Sequence, residues 1–272
     1  MEYILELQTL VDKNDSLIIG DRVFSSRFFT GSGKFSSPEV LRTVIEASET
    51  QVVTVAVRRV NLAAKGEEPA TRGIDRTKVL ILPNTSGARN AEEAVRLAAL
   101  GKALCGHSWV KLEVTPDPLS LLPDGVETLK AAKILISEGY TVLPYINADP
   151  ILALHLQDAG CATVMPLAAP IGTNKGLKTE DQIRIIIDRV RIPVVVDAGL
   201  GLPSHAAAAM ELGASAVLAN TALATASNPQ MMAKAFAAAV ISGRMGYLSR
   251  PGAISEVARA SSPLTGFLRR DS

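Results

Sequence analysis

The apolar run Ile192-Pro193-Val194-Val195-Val196 is followed directly by Asp197-Ala198-Gly199-Leu200-Gly201. A short run of β-branched residues without polar alternation is typical of a strand buried on both faces, as in a parallel sheet. The glycine-containing segment after it is typical of a loop that leads into a helix. This stretch therefore predicts one βα unit of a parallel α/β fold.

The same alternation recurs along the whole chain, with short β-branched runs and segments of helical periodicity between most of them. The predicted strands are residues 27–30, 52–57, 79–82, 109–114, 141–145, 163–166, 193–197 and 216–219. The predicted helices are residues 38–48, 91–103, 126–137, 150–159, 180–190, 204–212 and 229–242. Gly139, Gly160 and Gly213 follow three of these helices, at positions where a C-terminal cap favours glycine.

Eight strands spaced roughly 20–30 residues apart, with helices between most of them, are typical of a (β/α)8 TIM barrel. We therefore expect an α/β chain that forms a single barrel domain over residues 1–272. A doubly wound sheet is the alternative, but no GxGxxG segment opens a helix after an early strand. Residues 61–78 interrupt the pattern as a polar loop, and a tail begins at about Ser249. The loop is either functional or a solvated insertion, and the tail is either a lid or an extension.

Charge and cysteine content exclude several classes of protein. The 28 Lys and Arg residues against 27 Asp and Glu residues give no basic field for a nucleic acid. Two cysteines outside any CxxC motif and three histidines without ligand spacing predict no metal site. The sequence has no apolar run of about 18 residues and no secretory signal at its start. We expect a cytoplasmic protein that binds neither nucleic acid nor membranes and uses no cofactor.

The segment Trp109-Val110-Lys111-Leu112-Glu113-Val114 places charge inside a predicted strand. A period of two puts Lys111 and Glu113 on one face, and because the other face is apolar and packs on helices, the charged face points into the barrel. Burial lowers the pKa of a lysine, and a neutral amine is the nucleophile of Schiff-base chemistry. Lys111 is therefore a candidate nucleophile and Glu113 a candidate proton shuttle, although a structural ion pair explains the spacing equally well.

Two loops after the last predicted strands have the composition of a phosphate site. Asp197 ends an apolar strand and opens a glycine-containing loop, and Asn220 and Thr221 follow the final strand. Barrels often bind phosphate with these two loops, where small residues let backbone N–H groups approach the anion. Ordinary turn chemistry is the alternative for each motif. The proline- and glycine-marked loop at residues 165–176 is a further candidate for the pocket wall.

At residues 109–114 the sequence resembles the bacterial thiazole synthases of thiamin biosynthesis, and the resemblance extends from about residue 17 to about residue 263. Further blocks match that family in the same order. They are TVAVRR at 54–59, LPNTSG at 82–87, LPD at 122–124, VLPY at 142–145, VMPL at 164–167, PIG at 170–172, DAGLG at 197–201, AMELG at 209–213 and NTA at 220–222.

The resemblance implies a (β/α)8 barrel that makes the thiazole phosphate of thiamin from 1-deoxy-D-xylulose 5-phosphate and dehydroglycine. It implies that sulfur arrives as a thiocarboxylate on the C-terminus of a small ubiquitin-like carrier protein. By the family pattern, Lys111 forms the imine with the sugar ketone, and Glu113 and Asp197 are the acid–base groups. The positions that hold the sugar phosphate correspond to Gly172, Ala198, Gly199, Asn220 and Thr221. We further expect a sulfur-incorporating transferase that forms a homo-oligomer.

Other functions stay open on the residues alone. A lysine beside a phosphate loop also suits a Schiff-base aldolase-type barrel that acts on another phosphosugar, and a barrel that forms pyridoxal phosphate follows a similar logic. A barrel without activity that binds a protein partner is a third class. Trapping an imine with borohydride in the presence of different sugars distinguishes the three.

Overall fold

The computed structural model describes residues 15–59 and 74–262, so most of the polar loop expected at 61–78 lies outside the described residues. The strands are β1 Leu17–Ile19, β2 Arg22–Phe24, β3 Phe28–Gly31, β4 Val52–Ala56, β5 Leu80–Asn84, β6 Trp109–Leu112, β7 Thr141–Ile146, β8 Met165–Pro166, β9 Val195–Asp197 and β10 Ala216–Ala219. The helices are α1 Pro38–Ser48, α2 Ala91–Cys105, α3 Gly125–Ser137, α4 Pro150–Ala159, α5 Glu180–Arg189, α6 Pro203–Glu211, α7 Thr221–Ala224 and α8 Pro229–Leu248.

Strands β3 to β10 form a parallel sheet of eight strands in the order β8-β7-β6-β5-β4-β3-β10-β9. The two edges meet, because Val164 pairs with Val194 and Leu167 pairs with Asp197. The backbone N–H of Val195 donates to the carbonyl oxygen of Val164 at 2.9 Å. The sheet therefore closes on itself, which confirms the (β/α)8 barrel and excludes the open doubly wound sheet.

Most predicted strands match the structure closely, and the differences lie at their ends. Strand β4 stops at Ala56, and Val57–Arg59 form a 3-10 turn. Strand β6 stops at Leu112, although Val114 still pairs with Ala88 as an isolated bridge. These ends lie at the mouth of the barrel, where the chain leaves the sheet to form the loops around the site.

A hairpin that the sequence analysis missed fills the bottom of the barrel. Strands β1 and β2 pair antiparallel, and the turn between them begins at Gly20 with a φ of 54°. Their buried residues Leu17 and Phe24 belong to the same apolar cluster as the inward-facing Trp109, whose Nε1–H donates to Asp21 Oδ1 at 3.2 Å. The pair Gly20-Asp21 between two apolar runs is the signal that predicts such a turn. Because the hairpin closes this end, the cavity described below opens at the C-terminal ends of the strands.

The tail expected from Ser249 is described as far as residue 262, and all of its described residues are exposed. Across the described ranges, no helix combines the length and the apolar character that a bilayer span requires.

Candidate active site

Three charged side chains meet inside the upper half of the barrel. Lys111 Nζ lies 3.1 Å from Glu113 Oε1 and 2.5 Å from Asp197 Oδ2. All three are buried, with relative exposures of 4 %, 4 % and 3 % respectively. Lys111 and Glu113 come from β6 and the residue just beyond it, whereas Asp197 ends β9 on another side of the barrel.

The alternation along β6 explains why this charge points inward. Val110, Leu112 and Val114 are buried in the cluster that packs the sheet against α2 and α3, so the intervening residues face the barrel interior. Glu113 lies beyond the hydrogen-bonded strand and is held by Thr85. The Thr85 hydroxyl donates to the Glu113 carbonyl oxygen at 2.7 Å, and the Glu113 N–H donates back to Thr85 Oγ1 at 2.8 Å.

The charge state of Lys111 differs from the expectation drawn from burial alone. Burial by itself lowers the pKa of the Lys111 ammonium, but the carboxylates of Asp197 and Glu113 outweigh it and hold that pKa above its ordinary value. The expected lowered pKa of Lys111 is therefore wrong, because two anions face one cation. The amine that attacks a ketone must first pass its proton to a neighbouring base, and both carboxylates lie within reach.

Tyr145 on β7 is a neighbour of this cluster that sequence reasoning treated only as the end of a strand. Lys111 Nζ lies 5.6 Å from the centre of the Tyr145 ring, and the ring is fully buried. The hydroxyl has no hydrogen-bond partner in the described part of the chain. Burial, together with the negative charges of Asp197 and Glu113, raises the pKa of the Tyr145 phenol, so it stays protonated. The VLPY block, with a strand period of two, contains the signal for its inward position.

The five residues expected to hold a phosphate gather on the opposite wall from β6. Gly172, Ala198, Gly199, Asn220 and Thr221 all line one cavity. Within the described residues, their backbone N–H groups donate to no acceptor. Unpaired N–H groups that converge on a cavity are suited to an anion. The buried Asn220 Oδ1 also lacks a partner among the described groups.

The backbone of the loop after β9 is fixed tightly. Ala198 and Gly199 both adopt left-handed conformations, with φ values of 59° and 76°. A Cβ on Gly199 would lie 2.6 Å from the backbone nitrogen of Ala169, so only glycine fits there. His205 Nδ1 accepts hydrogen bonds from the N–H groups of Gly201 and Leu202, at 3.2 Å each, and anchors the far end of the loop.

Two cations at the cavity wall were not assigned from sequence. Lys34 lies in the loop after β3, and its Nζ atom is 3.3 Å from Thr221 Oγ1. A Cβ added to Gly172 would lie 3.1 Å from the same Nζ atom. Arg58, just beyond β4, lines the same cavity. The signal for Lys34 was the segment Gly31-Ser32-Gly33-Lys34 after the first barrel strand, where small residues admit a ligand.

The cavity has a volume of about 230 Å³ and lies at the C-terminal mouth of the barrel, where such enzymes place their active sites. It contains all eight residues predicted from the sequence, namely Lys111, Glu113, Gly172, Asp197, Ala198, Gly199, Asn220 and Thr221. The loop expected at residues 165–176 contributes Ile171 and Asn174 to its wall. Among the described residues, no group of three or more His, Cys, Asp or Glu side chains is arranged to hold a metal ion.

Comparisons with known proteins identify the family of this chain. Residues 18–263 match the family model described as thiazole biosynthesis protein ThiG. The chain is 61 % identical to a thiazole synthase of Syntrophobacter fumaroxidans over 93 % of this chain and 98 % of that protein. It is 57 % identical to a thiazole synthase of Acetivibrio thermocellus, with 94 % of this chain and 100 % of that protein covered.

Solved structures show the same fold. The BexX/CysO complex of Amycolatopsis orientalis contains a chain that matches with a TM-score of 0.79 and 35 % identity, over 89 % of this chain and 98 % of that one. A thiamine phosphate pyrophosphorylase from Pyrococcus furiosus matches with a TM-score of 0.53 at 13 % identity, over 78 % of this chain and 94 % of that one, and supports the fold alone. The family match over most of the sequence and the high identity to its members place this chain in the ThiG family, the thiazole synthases of thiamin biosynthesis.

Proposed function

We propose that the chain forms the thiazole phosphate from 1-deoxy-D-xylulose 5-phosphate, dehydroglycine and a carrier thiocarboxylate, through an imine between Lys111 and the sugar ketone. The observation that carries this proposal is the position of Lys111: a buried amine between two carboxylates, in a cavity whose far wall presents unpaired N–H groups. Schiff-base chemistry needs that amine, and the proton transfers around it need bases close by.

The phosphate end fixes the substrate before any bond changes. The N–H groups of the β9 and β10 loops bind the phosphate oxygens, and the Lys34 ammonium adds a positive charge beside Thr221 and Gly172. Binding energy from this remote group places the ketone at Lys111 on the other side of the cavity. The aldehyde or ketone of an unphosphorylated sugar lacks this anchor and reacts less efficiently.

The chemistry begins with a proton transfer. Lys111 gives a proton to Asp197 or Glu113, and the neutral amine attacks the C2 ketone and releases water as the imine forms. The imine makes the C3 proton acidic, and one carboxylate removes it. Protonation at C2 and loss of the proton from the C3 hydroxyl then leave a carbonyl at C3 and an amine bond between C2 and Lys111. The thiocarboxylate sulfur then adds at C3, with Glu113 and Asp197 available to move protons from two directions.

A protein donor of sulfur is the second part of the proposal. The BexX/CysO complex contains a chain that is 35 % identical to this one, and its assembly from two proteins supports a protein partner for this chain. The open mouth of the barrel is the route by which a carrier tail reaches C3. The cytoplasmic location and the homo-oligomeric state stay predictions.

Imine trapping tests the proposal directly. The protein is incubated with 1-deoxy-D-xylulose 5-phosphate and borohydride, and its intact mass and the modified peptide are measured. We expect one reduced sugar on the peptide that contains Lys111. An adduct with a triose or hexose phosphate but none with this sugar supports an aldolase instead, and no adduct with any of them supports a binding role.

A further inference from the structure

Five charged side chains line the cavity, and two of them are cations without a carboxylate partner among the described residues. The five are Lys34, Arg58, Lys111, Glu113 and Asp197. Lys111 is engaged by both carboxylates, which leaves the charges of Lys34 and Arg58 uncompensated within the described structure. Lys34 lies at the phosphate end beside Thr221, so Arg58 is the cation without an assigned ligand.

We propose that Arg58 is the centre of a carboxylate subsite, which binds the carboxylate of the α-imino acid co-substrate, dehydroglycine. This inference rests on the proposed function and adds to it the position of the second substrate. The subsite consists of Arg58, Ser86, Asn84 and Thr115, all of which line the cavity.

The strand order separates this subsite from the phosphate end. Arg58 follows β4, Asn84 ends β5, and Thr115 follows β6, and these three strands are consecutive in the sheet. The phosphate end is built from the loops after β8, β9, β10 and β3, which complete the circle. Asn84 pairs directly with Lys111 across β5 and β6, so the subsite borders the reacting amine. An imino acid held there lies beside the sugar carbons attached to Lys111.

The neighbouring backbone positions the Arg58 side chain. A Cβ on Gly87 would lie 2.7 Å from Arg58 Nη1 and 3.0 Å from Cδ, so the guanidinium lies against this glycine. Gly87 has a φ of 93°, which makes any other residue there strained as well as obstructive. Asn84 Oδ1 accepts the N–H of Ser86 at 3.2 Å, and this leaves the Asn84 amide NH2 group as a donor at the cavity wall.

Besides the sugar phosphate, two substrate anions could bind at Arg58: the carrier thiocarboxylate and the carboxylate of dehydroglycine. Their chemistry favours the carboxylate of dehydroglycine. A guanidinium presents parallel N–H donors that match a carboxylate in two-point fashion. The thiocarboxylate reacts through its sulfur, so its charge has to move to C3 of the sugar and cannot be held at a fixed cation. The carboxylate of dehydroglycine takes no part in the bond changes up to ring closure, and a fixed contact to it aligns the imine nitrogen and carbon.

The experiment varies the charge on both sides of this contact. Glyoxylate in excess ammonium supplies dehydroglycine by condensation, and glyoxylamide in the same buffer supplies the matching neutral imine. Thiazole formation is measured with saturating sugar phosphate and carrier thiocarboxylate, for the wild type, Arg58→Met, Arg58→Lys and Gly87→Ala. Arg184→Met on α5, where Arg184 pairs with Glu180 on the outer surface, is the matched control.

We expect Arg58→Met to raise KM for glyoxylate by about tenfold or more, because a charge-assisted contact is lost. It should lower the preference for glyoxylate over glyoxylamide by the same factor and leave the borohydride adduct with the sugar phosphate unchanged. Arg58→Lys should fall between the wild type and Arg58→Met, and Gly87→Ala should act in the same direction as Arg58→Met. Arg184→Met should match the wild type.

Two results overturn the inference. One is an unchanged glyoxylate KM and an unchanged preference over glyoxylamide in folded Arg58→Met. The other is a loss of sugar adduct in that variant, which would assign Arg58 to the sugar. A wild-type protein that forms no adduct with the sugar phosphate contradicts the proposed function itself, and this result is distinct from both.

Discussion

Lys111 Nζ lies 2.5 Å from Asp197 Oδ2 across the barrel, although their strands β6 and β9 are not neighbours in the sheet. Glu113, just beyond the strand that carries the lysine, completes the contact. The ammonium is therefore stabilised before substrate arrives, and the pair can exchange a proton without solvent. These contacts predict the effect of replacing each of the three side chains.

Lys111→Ala should abolish the borohydride-trapped adduct with 1-deoxy-D-xylulose 5-phosphate, because Lys34, the other lysine that lines the cavity among the described residues, lies beside Thr221 and away from the carboxylates. Lys111→Arg should also fail, since a guanidinium stays protonated and cannot attack the ketone. The measurement is intact mass followed by peptide mapping. An adduct that persists on the same peptide in either variant would show that another residue forms the imine.

Asp197→Asn should shift the pH dependence of imine formation to lower pH. The charge of Asp197 helps to hold the pKa of Lys111 above its ordinary value, whereas burial lowers it, so removing one carboxylate lets the amine lose its proton more readily. The yield of adduct, followed over about pH 6–10, should therefore rise at a lower pH than in the wild type.

The same variant should slow thiazole formation by about 10²–10⁴-fold, because a group that moves protons is gone. Glu113→Gln should behave similarly and still bind the phosphosugar. Wild-type turnover in both variants would remove these carboxylates from the mechanism and leave them a structural role.

For the pH dependence of imine formation in Asp197→Asn, a profile that does not move, or that moves to higher pH, would contradict the charge assignment of Lys111.

Lys34→Met should weaken binding of the sugar phosphate by about 10- to 100-fold, because it removes a charge-assisted contact at the phosphate end. The unphosphorylated sugar 1-deoxy-D-xylulose should form the imine equally slowly with the variant and the wild type. Lys133→Met, which changes an exposed lysine on α3, serves as the control and should have no effect. Equal losses with both sugars would show that Lys34 does not contact the phosphate.

Much of this site could be predicted from sequence because it follows from local patterns. The period of two in 109–114 orients Lys111 and Glu113, and the end of an apolar run marks Asp197 as a residue at the barrel mouth. The pKa direction of Lys111 could not be predicted, because it depends on how many carboxylates face the amine after the sheet closes. Lys34 was missed for a similar reason: its ammonium contacts Thr221 only because β3 and β10 are neighbours.

An ion-pair cluster lies away from the site, around Asp15. The Asp15 carboxylate accepts a hydrogen bond from Arg244 Nε at 2.8 Å, and its other oxygen lies 3.0 Å from Arg27 Nη2. It therefore links three parts of the chain: the segment before β1, the segment before β3, and α8. Burial raises the pKa of Asp15, but the two guanidinium groups outweigh it and the net shift is downward. A carboxylate with a lowered pKa in the folded state contributes stability above its unfolded pKa, and this contribution is lost as pH falls through the folded pKa.

Asp15→Asn should therefore lower the free energy of unfolding by about 1.5–3 kcal/mol at neutral pH. The difference from the wild type should shrink as the pH falls below about 4, where Asp15 of the unfolded chain takes up its proton, and should vanish once the pH falls through the lowered pKa of the folded state. Urea unfolding at both pH values measures it. Glu39→Gln, at an exposed pair with Arg42, is the control and should change little. A deficit of the same size at low pH would mean that packing rather than charge is responsible.

The carrier protein should dock near the barrel mouth and slow backbone exchange in the tail after Ser249. This tail is exposed throughout its described residues, and Ile254 and Val257 present 98 % and 70 % of their surface to solvent. Exposed apolar side chains are candidates for burial by a protein partner. Hydrogen exchange with and without the carrier should show protection there, and a double change of Ile254 and Val257 to Ser should weaken carrier binding. The same change at Ile18 and Val23, which are exposed on the hairpin at the closed end, should leave carrier binding unchanged.

The borohydride adduct should form at the same rate in all of these variants and without the carrier, since imine formation needs only the sugar and Lys111. Unchanged exchange in the tail, with protection confined to the loop between β6 and α3, would move the docking face to that loop.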